Sequence, residues 1–190
     1  MLKKENKIFV ISGPSGIGKS TIVAELLKVF PDAGKILNST SRRPRKGEVE
    51  LKDFRFLSTE EFVSKFERDE FLEAGQYVGE CYGTSVSDFD EACLKHDVLF
   101  WILDVKGVKN IKEKGLKNVS SIFVKPCQQK HVKERLNNRG FSEKEMQDRI
   151  EQAEWEISQT SVYDYEIENE HGQMQKTVDE IAGIVKKELL

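Results

Sequence analysis

Two clusters of residues in this chain have types and spacings suited to chemistry. The first is "GPSGIGKS", comprising Gly13, Pro14, Ser15, Gly16, Ile17, Gly18, Lys19 and Ser20. It fits the pattern G-x-x-x-x-G-K-[ST] and lies where that pattern must lie, after an apolar run and before a helical one. Its glycines let the backbone curl so that successive N–H groups point at phosphate oxygens, with a helix N-terminus behind them. A lysine at Lys19 then reaches β- and γ-phosphates, and the Ser20 hydroxyl can coordinate Mg²⁺. The second cluster is "STSRRPRKGE", where Arg42, Arg43, Arg45 and Lys46 precede Glu48. Such a run can grip nucleic acid, line a small phosphate site or keep a loop solvated. Its composition alone does not choose among the three.

The elements that must position these residues read as follows. "KIFVIS" (7–12) is a short apolar run with β-branched residues, the pattern of a buried strand. After the glycine-rich turn, Ile22, Val23, Leu26, Leu27 and Phe30 form one face of a helix that Pro31 ends. "DVLFWILDV" (97–105) is apolar on both faces, as in a central parallel strand, and "VSSIFV" (119–124) predicts another. Met146, Ile150, Ala153 and Ile157 make one core-facing helical stripe, and Met174, Val178, Ile181 and Val185 a second. Strands alternating with helices imply a doubly wound parallel sheet. Residues 38–90 break the alternation with short polar strands such as "FRFLS" (54–58) and a helix at about 59–68, which predicts an inserted α+β lobe.

The totals narrow the function. At 190 residues the chain has room for one α/β domain with a sizeable core. With 30 basic and 33 acidic side chains the net charge is −3, which argues against a general nucleic-acid binder. Cys81, Cys93 and Cys127 are odd in number and far apart, so neither a disulfide framework nor a zinc site is expected, and a reducing cytosol is. His96, His131 and His171 are equally scattered. The apolar run near the start is too short for a signal-peptide core or a membrane span.

The glycine-rich loop does not say which reaction follows, since a motor, a GTPase or a small-molecule kinase would each show it. GTPases usually carry a guanine-reading NKxD motif, and none occurs here. A kinase needs a second phosphate site for its acceptor.

The order of pieces resembles that of the guanylate kinases, over nearly the whole chain. Beyond the phosphate loop, the resemblance rests on "STSRRPRKGEVELKDFRF", "EFLEAGQYVGECYGTS", "LDVKGV", "RLNNRGFSEKEMQDRIEQAEWE" and "YDYEIEN". It implies a P-loop NTPase-type parallel sheet with flanking helices, an inserted lobe for the nucleoside monophosphate (NMP) and a helical lid. Within one domain spanning 1–190, it places the core in 1–37, 91–130 and 155–190, the NMP-binding lobe in 38–90 and the lid in 131–154. The implied reaction is ATP + GMP giving ADP + GDP, with dGMP as a second acceptor and Mg²⁺ accompanying ATP. The resemblance implies a cytoplasmic enzyme with no nucleic-acid, membrane or protein partner.

Residue roles follow from the same likeness. Arg42 and Arg45 would hold the acceptor phosphate, helped by the hydroxyl of Tyr82, with Glu48 and Phe54 in the same site. Arginine suits a rigid, doubly charged group because its planar fork binds bidentately. Glu73 would accept from guanine N1–H and N2–H₂, while Asn38, Gly83, Thr84 and Asp104 complete the base and sugar side. The ATP site would extend from the loop to Thr21, with Arg139 and Asn169 near adenine. Arg135 and Arg149 would bridge the phosphates of the two nucleotides, and Arg43 and Lys46 would be solvated charge.

Several positions depart from the family pattern. Asn38 replaces a serine that helps read guanine O6, and an asparagine NH₂ can donate there too. Leu51 replaces a glycine, Phe54 a tyrosine, Ile102 an aspartate and Cys127 a proline. Two rivals stay open on the sequence: a non-catalytic guanylate kinase-like binding module, and a related kinase with another phosphorylated acceptor.

Overall fold

The computed structural model of the protein describes residues 6–127, 143–170 and 172–190. Nine strands and six α-helices occur among them. The strands are β1 (Lys7–Ser12), β2 (Gly34–Lys35), β3 (Ser39–Thr40), β4 (Arg55–Phe56), β5 (Phe71–Tyr77), β6 (Glu80–Ser85), β7 (Val98–Ile102), β8 (Val119–Pro126) and β9 (Tyr165–Asn169). The helices are α1 (Lys19–Val29), α2 (Thr59–Glu67), α3 (Val86–Lys95), α4 (Val105–Glu113), α5 (Glu143–Ser158) and α6 (Met174–Glu188).

A five-stranded sheet in the order β2-β7-β1-β8-β9 forms the centre, and each of its pairings is parallel. Strand β1 has period 2, so Phe9 and Ile11 enter one apolar cluster and Ile8 and Val10 another. The first cluster packs against Ile22, Val23 and Leu26 of α1 and Val178, Ile181 and Val185 of α6. The second receives Phe89 and Cys93 of α3 with Val105, Val108 and Ile111 of α4. Both faces are thus covered, which is why β1 and β7 read as unbroken apolar runs rather than alternating ones.

A second, four-stranded sheet in the order β4-β3-β6-β5 is built from residues 39–85, within the stretch expected to be an inserted lobe. It is mixed, with β3 parallel to β4 and antiparallel to β6, and β5 antiparallel to β6. Helix α2 begins with a capping box, Ser58 and Glu61 each satisfying the other's backbone N–H. On α5 the predicted stripe is divided: Met146 and Ile150 pack on Ala153, while Ile157 packs against the α4 side of the core. Among the described residues no disulfide joins Cys81, Cys93 or Cys127; Cys93 is buried and Cys127 exposed. No helix among the described residues is long and apolar enough to cross a membrane.

Candidate active site

The glycine-rich loop leaves β1 at Ser12 and enters α1 at Lys19. Gly13 adopts φ 140°, and a Cβ there would lie 2.2 Å from the Val124 carbonyl oxygen. No other residue fits so close an approach to the neighbouring strand. The loop is held from outside. The Asn169 side-chain NH₂ donates to Ile17 O at 2.8 Å while its oxygen accepts from Thr177 Oγ1, and Ser12 Oγ meets Tyr163 Oη at 2.7 Å. Lys19 Nζ donates to the carbonyls of Gly13 and Pro14.

A cleft of about 300 Å³ joins this loop to the second sheet. Ser15, Gly16, Gly18, Lys19, Ser20 and Thr21 line one end of it; Asn38, Arg42, Arg45, Glu48, Phe54, Glu73 and Tyr82 line the other. Asp104 and Arg149 also line the cleft. Residues up to 134 positions apart in sequence, Ser15 and Arg149, therefore share one cavity.

The arginine cluster is organised by Glu48. Its carboxylate accepts from Arg42 Nη1 at 2.7 Å and Nη2 at 2.9 Å, and from the Arg45 backbone N–H at 2.7 Å. Arg42 Nη1 also donates to Arg43 O at 2.8 Å. One edge of the guanidinium is thus consumed, while the Nε–H makes no hydrogen bond among the described residues. Guanidinium has two bidentate edges; the one carrying Nε is buried here, and the Tyr82 hydroxyl also bonds to the guanidinium. The Phe54 and Phe56 rings lie 5.2 and 5.7 Å from the guanidinium carbon and hold it by cation–π contact. Burial alone would raise the Glu48 carboxyl, but the Arg42 and Arg45 bonds outweigh it and hold Glu48 below its usual range. Arg43 and Lys46 are exposed, as solvated charge should be.

Glu73 sits opposite Thr84 in the β5–β6 register and is 6% exposed. Its Oε1 accepts from Thr84 Oγ1 at 2.7 Å. Burial pushes its carboxyl up to about 7, and Asp104 adds to the rise. Asp104 caps α4 through Oδ1, which accepts from Gly107 N at 2.7 Å, and stands just beyond the C-terminal end of β7. Ligands of open α/β sheets bind at that end of the strands. Thr84 and Gly83 are fully buried behind Glu73, where a Cβ on Gly83 would meet the Glu73 carbonyl at 2.8 Å.

Asn38 behaves differently from the simplest expectation. Its NH₂ donates to Ile102 O at 2.7 Å, and its buried Oδ1 makes no hydrogen bond among the described residues. Leu51 adopts φ 61°, the left-handed conformation that favours glycine, and its N–H donates to Phe54 O at 2.9 Å. The loop from Glu48 to Phe54 thus keeps a tight turn despite the side chain.

Arg135 and Arg139, expected in the lid, lie outside the described residues, as does His131. Sequence reasoning also missed two buried groups. Tyr77 lines the cleft, and Glu156 is 1% exposed on α5, two helical turns beyond Arg149 and so on the same face. Burial raises the Glu156 carboxyl, and Lys19 opposes the rise. A glutamate within a highly charged helix gives no sign in the sequence that it faces inward.

Comparisons with known proteins follow the same lines. The family model described as guanylate kinase matches residues 5–188. A guanylate kinase of Geobacter metallireducens is 35% identical over 188 residues, covering 98% of this chain and 91% of that protein. One from Clostridioides difficile is 36% identical, covering 99% of this chain and 91% of its relative. Among solved structures, a guanylate kinase from Anaplasma phagocytophilum superposes with a TM-score of 0.79 at 28% identity, covering all of this chain and 89% of that one.

Proposed function

The chain belongs to the guanylate kinase family, and on that premise we propose that it transfers the γ-phosphoryl group of ATP to GMP, and to dGMP, giving ADP and the nucleoside diphosphate. The observation that carries this reading is a cleft lined both by a phosphate loop and by an arginine grip beside a buried carboxylate. The loop N–H groups and Lys19 bind the ATP phosphates. Arg42, Arg45 and the Tyr82 hydroxyl hold the acceptor phosphate, while Glu73 accepts from the guanine edge and Asp104 faces the sugar. Arg149 spans the gap between the two phosphate groups. By the family pattern Arg135 joins it there and Arg139 serves the adenine side; Asn169, expected beside adenine, is 2% exposed and bonds to Ile17 O and Thr177 Oγ1, so it braces the loop instead.

The acceptor phosphate has a second pKa of about 6, so it is largely dianionic at neutral pH and needs no protein base. Catalysis is then alignment and charge neutralisation of the moving group. Ser20, in the first turn of α1 and on the cleft wall, is suited to Mg²⁺. Among the described residues no three His, Cys, Asp or Glu side chains cluster as a metal cage. A lone Ser20 hydroxyl fits Mg²⁺, which takes few protein ligands and keeps waters and substrate phosphates. When bound with ATP, the ion neutralises phosphate charge.

The intact Gly13, Gly18, Lys19 and Ser20 weigh against a non-catalytic module, and Glu73 in the cleft weighs against a ribose-bisphosphate acceptor. A coupled ADP-release assay across GMP, dGMP, AMP, CMP and UMP tests the reading. Turnover confined to the two guanine nucleotides is expected; equal turnover of AMP, or none with any acceptor, would overturn it.

A further inference from the structure

A buried indole stands behind the base-reading carboxylate, and nothing in the reaction described above uses it. Trp101, one residue before the C-terminal end of β7, is fully buried, and its Nε1 lies 3.0 Å from Thr84 Oγ1. The Thr84 hydroxyl in turn lies 2.7 Å from Glu73 Oε1. An indole N–H can only donate. The threonine oxygen therefore accepts from Trp101, and its one hydrogen is directed into Glu73. The chain of donors runs one way, from the core sheet into the second sheet.

We propose that Trp101 is a positioning residue for the acceptor base: through Thr84 it holds Glu73 as an acceptor, with Oε1 occupied and Oε2 left for the donors of the base. This rests on the reading of Glu73 as the base-reading group. Linked hydrogen bonds polarise one another, so the indole strengthens the threonine's donation. Donation to a carboxylate favours its charged form. Oε2 lies on the Gly107 side, 3.2 Å from where a Cβ on that glycine would be. If Glu73 took up a proton there, it would present a donor to a donor.

The groups acting on Glu73 make the balance close. Burial and Asp104, at the start of α4, favour the neutral acid; Thr84 on β6 and Lys114, at the end of α4, favour the carboxylate. Phe89 of α3 packs 5.4 Å from the Trp101 ring and keeps the indole in place.

Trp101→Phe keeps the ring and removes the N–H. KM for GMP and for ATP would be measured from about pH 6 to about pH 9 in this variant and in the unaltered enzyme, so that titration of GMP itself cancels. The expected result is a GMP KM roughly three- to tenfold higher at pH 7, converging at pH 9, with its midpoint about half a unit to one unit higher. The ATP KM and kcat at saturating GMP should not change. A lower melting temperature with an unmoved midpoint would mean that Trp101 is packing alone, and would overturn the proposal. A second measurement leaves the protein intact: the Trp101 indole N–H resonance should titrate with Glu73 near pH 7, and should stop doing so in Glu73→Gln. An indole signal indifferent to pH across that range would also overturn it. Glu73→Gln separates the two claims. If it leaves GMP KM unchanged, the base-reader assignment is what fails. If it raises GMP KM while Trp101→Phe moves no midpoint, only the relay fails.

Discussion

The two ends of the cleft are built on different principles. At the proposed donor end, consecutive residues 13–20 present mainly their backbone, and the side chains around them, Asn169 and Tyr163, brace the loop from behind. At the proposed acceptor end, Arg42, Glu48, Glu73 and Tyr82 present side chains from three separate segments, each held by a partner. A backbone site needs one local conformation and tolerates change in most of its side chains. A side-chain site needs several long-range contacts at once, and each departure from the family pattern at Asn38, Leu51 and Phe54 falls there.

Lys19 is the donor end's exception, a side chain bearing full charge, and it should give the largest effect. Lys19→Ala is expected to lower kcat/KM by about 10²–10³-fold, the scale for removing one electrostatic donor from a transition state. Circular dichroism should show the fold unchanged. A folded variant keeping more than about a tenth of the turnover would mean that the loop works by backbone alone.

Glu73→Gln should discriminate between the ends. The amide points its own NH₂ at a base donor, and an unpaired buried donor costs about 1–3 kcal/mol, so GMP KM should rise about five- to hundredfold with ATP KM little changed. Equal losses for both substrates would erase the division between the ends. The same variant has a stability signature. A carboxyl raised from 4.5 to about 7 binds its proton more tightly when folded, so wild-type stability falls as pH rises through that window. Glu73→Gln should therefore melt higher than wild type above pH 7, by on the order of 2 kcal/mol, and show no such gain at pH 4.

Phe54→Tyr sharpens the comparison by adding a donor to the acceptor end. A hydrogen bond to a charged group contributes about 1.5–3 kcal/mol. The Phe54 ring already covers the Arg42 guanidinium and stands edge-on to Tyr82. A fall in GMP KM of about three- to tenfold is expected, with ATP KM unmoved. An unchanged GMP KM would show that the ring serves Arg42 and that its edge does not reach the phosphate.

The smallest effect belongs to Leu51→Gly. Leu51 is 57% exposed, so little burial is lost, and its left-handed φ is relieved. Relief of about 1–2 kcal/mol is partly offset by glycine's greater freedom in the unfolded chain, leaving a gain of about 0.5–1 kcal/mol in chemical denaturation. GMP KM should stay within about twofold, because the turn is already formed. A large change in KM would show that the leucine reshapes the Glu48–Phe54 loop.

Local pattern was enough for much of this molecule. The phosphate loop, α1, β1, β7 and β8 were legible because strand and helix periods and a glycine-lysine spacing are properties of neighbouring residues. The sequence by itself also determined the family, and through it the acceptor residues Arg42, Arg45, Glu73 and Tyr82 as candidates. Tertiary structure alone decided which groups remain available. Glu48 takes one edge of Arg42, Asn38 spends its NH₂ on Ile102, and Thr84 is turned by Trp101 toward Glu73. The direction of a hydrogen bond depends on what stands opposite, and for these groups that partner comes from another strand or turn. Periodicity says that Trp101 is buried; only the pairing of two sheets says that its one polar atom points at the site.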